Sequence, residues 1–433
     1  MKYFWALILN LLYVFCYNKN MPGIIVAVFT VLLLYLIYSE AVKHNSAEGV
    51  MLEMLCFTFP FAWRSITGTS FADLGICWFY IIGLVYVLIL IKKGGFFKKI
   101  NFKSGELVLT CWLLLLIGGI IPLFNSYNFI EGLKKFTAYI FFYILVIMSL
   151  PHSGNLEPEE RFTVLRSFTY AALYSAFMVI IQFLLFNLFN IKFLNMGPSG
   201  NMRFIYSYMF LDISAQTLML ATGAMVCLVY GRKIFKYPVI IMCIILTGAL
   251  LTSARTGIIT FALTSGLYLI FSKNSKNKPV KLCIYSVCVI IGCFIISFNR
   301  TEPSFINLIT DDNGRIFLIK EAVLLFLKHP FIGIGFDLNA YIAMTEASTI
   351  CHFYLLNVLL STGLFYTSLF VLLIAFFVKM SRKIDGFIWI ILPALLGSCF
   401  IPDLMGSRFF IIPVCILILS KEMKKTTGSL NHE

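Results

Sequence analysis

Long apolar runs separated by short polar connectors dominate the pattern of this 433-residue chain. A helix that crosses a bilayer needs about 20 apolar residues, because lipid offers nothing to satisfy an open backbone. Runs near that length occupy residues 107–124, 131–150, 168–190, 213–230, 281–298 and 353–378, with shorter ones at 4–17, 21–38, 387–401 and 408–420. Between Lys236 and Lys273 the chain is nearly all apolar and is interrupted once, at Ser253-Ala254-Arg255-Thr256. That predicts two short helices joined by a tight turn. Residues 4–17 follow Met1-Lys2 as a signal peptide would, but no small-residue cleavage site follows, and the run reads as an uncleaved first helix. Counting four runs before Lys92, the pattern predicts an all-α, polytopic integral membrane helix bundle of about 12–14 transmembrane helices, forming a single transmembrane domain over 1–433.

Composition agrees and excludes a soluble fold. Hydrophobic residues make up 60% of the chain, charged residues 12%, and mean hydropathy is +0.92. An ordinary soluble domain is about half apolar and a quarter charged. The net charge of +14 would suit nucleic acid, but the positions of Lys and Arg decide against it. They gather in five connectors, at 92–103, 232–236, 273–281, 379–383 and 421–425, the positive-inside pattern of cytoplasmic segments. Such connectors must be separated by even numbers of crossings, and the runs supply four between Lys103 and Arg232 and two between Lys236 and Lys273. Both termini then lie in the cytoplasm. The chain leaves through 281–298 and does not recross until Phe353, so 299–352 is one large external loop. The twelve cysteines are scattered without a Cys-x-x-Cys pair and read as small helix-facing residues.

Polar residues discriminate among membrane functions. Transporters carry charges inside their helices, at roughly 2.5–3.5 kcal/mol each; here Arg64, Asp212 and Asp403 all fall near predicted ends. What stands out is a set of basic residues on the external side: Arg203, Arg255, Arg315 and His352. Each has a bland reading, since an arginine can snorkel to lipid phosphates and a histidine can cap a helix. Together they suit chemistry on a phosphate, because guanidinium offers a fixed fork of donors and imidazole can take a proton near neutral pH. Residues 311–314 offer a turn, and 315–328 then reads as a helix of about 21 Å, too short to span and polar midway at Lys320-Glu321. It is expected to lie at the membrane interface. His329-Pro330 stops it, and 331–336 reads as a flexible turn leading back to His352.

These residues, in this order, resemble the O-antigen polymerase and O-antigen ligase superfamily of membrane glycosyltransferases over roughly residues 200–365. Ser253-Ala254-Arg255-Thr256-Gly257 is similar to its Ser-Arg-Thr-Gly turn, with an alanine inserted. Arg315 followed by His329-Pro330-Phe331-Ile332-Gly333-Ile334-Gly335 resembles its arginine, helix and His-Pro-x-x-Gly-x-Gly block, and His352-Phe353-Tyr354-Leu355 its His-Asn-x-Tyr-Leu segment. Phe353 stands where the asparagine is usual. After Arg203, Asp212-Ile213-Ser214 stands where a Pro-Asn pair is often found.

The resemblance implies glycosyl transfer at the periplasmic face of the bacterial inner membrane, from an undecaprenyl-pyrophosphate-linked oligosaccharide, with no metal or other cofactor. His352, Arg315 and Arg255 are the implied catalytic residues, and Arg203, Arg255 and Arg315 the implied binders of pyrophosphate and sugar. The broken His-Asn pair favours a polymerase over a ligase acting on lipid A core. A flippase for the same lipid-linked sugar would need a polar central cavity, which the apolar helices argue against. A polysaccharide chain-length regulator is an admissible partner; nucleic acid is not.

Overall fold

The structure, a computed structural model, describes residues 46–57, 78–93, 105–149, 156–199, 203–208, 210, 212–271, 314–337, 339–347, 349–384 and 386–401, with isolated positions before 46 and at 416. The runs at 4–17, 21–38, 281–298 and 408–420, the part of the external loop at 299–313 and both termini lie outside these residues, single positions apart.

Helices account for nearly all of the described chain. The first seven are α1 (Ala47–Phe57), α2 (Trp78–Lys92), α3 (Gly105–Gly118), α4 (Ile120–Phe124), α5 (Phe129–Ser149), α6 (Pro158–Phe189) and α7 (Ile213–Ile234). They are followed by α8 (Pro238–Leu251), α9 (Arg255–Phe271), α10 (Arg315–Lys328), α11 (Asn339–Met344), α12 (Tyr354–Arg382) and α13 (Phe387–Gly397). Among the described residues five stretches are long and apolar enough to cross a membrane: Glu106–Phe124, Phe129–Ser149, Glu159–Phe189, Ile213–Ile234 and Tyr354–Arg382. The protein is an all-α, multi-pass membrane protein. The predicted interruption at residues 253–256 is the α8–α9 turn, and the predicted helix over 315–328 is α10 with the same bounds.

Two local differences have plain causes. Helix α6 starts at Pro158 rather than near 168, because Glu157 and Glu160 form a capping box and Pro158 presets the first turn, so a polar turn extends the helix beyond its apolar run. Between α6 and α7 the chain forms an antiparallel hairpin of β1 (Asn195–Ser199) and β2 (Arg203–Tyr208). Its anchor is a buried amide. Gln182 of α6 donates from Nε2 to the Phe193 carbonyl and accepts from the Tyr208 N–H, both at 2.8 Å.

Helix α7 is the hub, packed by α6, α8, α9 and α13. Its Thr, Ala and Gly residues let neighbours approach, as small residues do where lipid removes the hydrophobic drive for association. Asp212 caps it, accepting from the Ser214 and Ala215 N–H groups.

Ring contacts and charges define the two ends of the bundle. At one end Tyr230 of α7 meets Phe387 of α13, Tyr268 of α9 meets Trp389 of α13, and Lys92, Arg232, Lys233, Lys379 and Arg382 occupy last turns. There Lys93 pairs with buried Glu48 at 2.6 Å. This is the basic end. The opposite end carries the first residues of α7, α9 and α12, the last of α8 and α13, and the candidate site.

Candidate active site

The site end is tied together by contacts that cross from helix to helix. In the α8–α9 turn Ser253 takes left-handed backbone (φ 63°) and its hydroxyl donates to the Phe204 carbonyl of β2 at 3.3 Å. This brings the strand that begins at Arg203 beside the turn that carries Arg255. Within the first turn of α9, Gly257 lies against the backbone of Thr217 in α7 with no room for a Cβ, and its N–H donates to Thr217 Oγ1 at 3.2 Å. Leu218, the next residue of α7, packs equally closely on Gly397 of α13. The Ser398 carbonyl beyond it accepts from Tyr354 N–H, the first residue of α12, at 2.9 Å. Arg255 and His352 are thus held at the same end, joined through α7 and α13.

His352 and Arg315 are brought together more directly. Leu318, Ala322 and Leu325, one stripe of α10, pack with Cys351, Leu356 and Leu360 around the start of α12. The loop before α12 is pinned by Asn357, whose Nδ2 donates to the Cys351 carbonyl at 2.6 Å. His352 is half-buried, and its Nδ1 lies 3.0 Å from the Ile350 carbonyl. A carbonyl oxygen only accepts, so Nδ1 carries the proton and Nε2 keeps the lone pair. Burial pushes the ring's pKa below its usual value, and the charge of Arg315 pushes the same way against the Ile350 hydrogen bond. The imidazole is therefore neutral near pH 7, with an available acceptor nitrogen and a guanidinium within electrostatic range.

Both Arg255 and Arg315 are the first residues of their helices. The macrodipole disfavours a cation there by about 0.3–1 kcal/mol, so helix stability does not explain the placement. At the head of α12, Phe353 is the N-cap with no side-chain capping bond and packs into the cluster of Leu318 and Leu356. Apolar packing occupies the place where the motif's amide is missing.

The segment 331–336 is not a flexible turn. Helix α12 breaks at Gly363 (φ 74°, ψ −178°), a conformation open essentially to glycine alone. The break frees the carbonyls of Leu360 and Ser361 and the N–H of Leu364. The loop satisfies all three: Ile334 and Gly335 N–H donate to those carbonyls and Leu364 N–H donates to the Pro330 carbonyl, each at 2.9 Å. Each such group left unmade in a buried place costs about 1–3 kcal/mol, so docking is strongly favoured. Phe336 completes the insertion among Phe136, Tyr139 and Tyr366, with ring centroids 5.1, 5.4 and 6.2 Å away. The apolar run over 353–378 conceals this break, and periodicity carries no sign of it.

A helix bundle with these basic residues at one end defines a class: a multi-pass membrane protein that gathers arginines and a histidine at the end opposite its basic last turns. Residues 239–371, just under a third of the chain, match the family model described as O-antigen ligase, in agreement with the polymerase and ligase superfamily that the motifs resemble. Members of that family are glycosyltransferase-like enzymes. No curated protein matches the chain significantly. The matched stretch contains Arg255, Arg315 and His352 and ends within α12; Arg203 lies before it.

Proposed function

We propose that this protein is an O-antigen, or surface polysaccharide, polymerase of the bacterial inner membrane, with its site end periplasmic and its basic end and termini cytoplasmic. It joins undecaprenyl-pyrophosphate-linked repeat units by metal-independent, inverting glycosyl transfer. The observation that carries this reading is the packing of α10, with Arg315 at its head, against the start of α12 beside His352, whose Nδ1 donates to the Ile350 carbonyl and so leaves Nε2 as the acceptor.

His352 Nε2 takes the proton of the acceptor sugar hydroxyl as its oxygen attacks the donor's anomeric carbon. The bond from that carbon to the pyrophosphate oxygen breaks, and the electron pair leaves with the lipid pyrophosphate. Negative charge grows on the leaving group, where Arg315 and Arg255 act, with Arg203 as a further contact to pyrophosphate or sugar. Direct displacement inverts the anomeric centre.

Ligation to lipid A core, the activity for which the matched family is named, is the second reading. The apolar packing of partly buried Phe353 in place of an asparagine supports polymerisation instead. Deleting the gene and running lipopolysaccharide on a gel separates them. Single repeat units on the core are expected; bare core with retained lipid-linked polymer would mean ligation. Bare core with no polymer would point to translocation and overturn both.

A further inference from the structure

The short turn between α4 and α5 lies far from the site in sequence and outside the matched family region, yet it holds the segment that seats the site. Asn125 Nδ2 donates to the Gly333 carbonyl at 2.7 Å. The Ser126 hydroxyl accepts from Phe336 N–H at 3.0 Å and donates to the Pro122 carbonyl at 3.2 Å, so its orientation is fixed from both sides. Gly335 lies so close on the Ser126 backbone that a Cβ there would clash. The turn therefore grips the inserted segment at Gly333, Gly335 and Phe336, while the broken α12 grips it at Ile334 and Gly335. Between the two grips, Ile334 is buried with Leu318, Ala322 and Leu325 of α10 and with Cys351, Leu356 and Leu360 beside His352.

We propose that Asn125 and Ser126 are positioning residues for the Arg315–His352 pair, holding residues 333–336 in the α12 break so that α10 seats against the start of α12. Neither touches substrate. Their action passes through Ile334: if the segment slips, α10 loses the wall against which Leu318 and Ala322 pack, and Arg315 moves relative to the imidazole. The proposal rests on the reading of His352 as the proton acceptor.

A residue that only stabilises the loop would lower abundance or thermal stability and leave each folded molecule's chemistry unchanged. A positioning residue changes the chemistry of molecules that are folded. The test uses the full-length protein in lipid nanodiscs, with a synthetic undecaprenyl-pyrophosphate repeat unit as substrate and rates expressed per folded molecule. Asn125→Asp keeps the shape and loses the donor, and Ser126→Ala removes only the hydroxyl, so the pair remains informative if one variant folds poorly. Both are expected to lower kcat about ten- to a hundred-fold, the size that small misplacements of reacting groups produce, with a smaller change in KM. Both are also expected to move the acid limb of the pH profile upward, as the imidazole escapes Arg315. Wild-type kcat and an unmoved acid limb in both variants, with His352→Ala inactive, would overturn the positioning role alone. Chain growth retained by His352→Ala would instead overturn the reading of His352 on which the proposal rests.

Discussion

At the basic end, helices stop as soluble helices do: Glu157 and Glu160 close a capping box, Pro158 and Pro238 open first turns, and Lys93 pairs with Glu48. At the site end the backbone departs from the ordinary repeatedly. Asn190, Leu194, Tyr208 and Ser253 take left-handed conformations without being glycine, and Gly314, Gly333, Gly335 and Gly363 join them. Of the left-handed residues at the basic end, among those described, there is Gly386. Left-handed backbone costs a non-glycine residue energy and persists where surroundings over-determine it. The contrast teaches where the sequence has spent its stability: the basic end closes the bundle, and the site end holds side chains in fixed places.

That contrast predicts that substitutions at the site end lower the rate per molecule, and those at the basic end lower the number of molecules. The largest effect among the arginines belongs to Arg315. Arg315→Ala is expected to slow chain growth about 10²- to 10³-fold, as loss of one charge-stabilising donor does elsewhere. Arg315→Lys should recover little of it, because an ammonium is a point donor without the fork. Full polymer length from both variants, at normal protein level, would return Arg315 to lipid snorkelling.

A smaller effect concerns pH. Under the proposed mechanism His352 acts deprotonated, so the rate falls as pH drops through its pKa, and burial and Arg315 hold that pKa below the usual histidine value. The acid limb of kcat/KM should therefore lie below about pH 6.5, the ordinary histidine value. In residual activity of Arg315→Ala it should shift upward. A wild-type limb centred above pH 6.5 would contradict the environment described for the ring.

The smallest expected effect on rate lies at the basic end. Glu160→Ala removes the acceptor for the Glu157 N–H and half of the α6 capping box. It should cost about 0.5–2 kcal/mol of stability, read as lower thermal unfolding temperature, while kcat and KM stay at wild-type values. A large fall in kcat would erase the difference between the two ends.

How much of this was legible in the sequence follows from which signals are local. Hydropathy located the α8–α9 turn, and His329-Pro330 ended α10, because apolar length and proline act on their own neighbours. The apolar pattern does not show the β hairpin, although the aromatic and β-branched run Phe204-Ile205-Tyr206 is a strand signal; its anchor, Gln182, sits on another element. The break at Gly363 lies inside a continuous apolar run, and its compensation comes from a loop some thirty positions earlier, a relation no local pattern contains. For the site, Arg315 and His352 were recognisable as basic residues in unusual places. Asn125 and Ser126 were not, since an Asn-Ser pair after an apolar run is what any loop contains.

The measurement that bears most directly on the central claim is chain growth by His352→Gln, compared with His352→Ala, using lipid-linked repeat units and protein of verified abundance. Glutamine keeps hydrogen bonding near the Ile350 carbonyl but cannot accept and carry the hydroxyl proton. The account predicts that both variants lose about 10²- to 10⁴-fold in rate, the contribution of a positioned general base. Polymer made by His352→Gln at near wild-type rate would contradict it, leaving His352 as a residue that positions substrate without moving its proton.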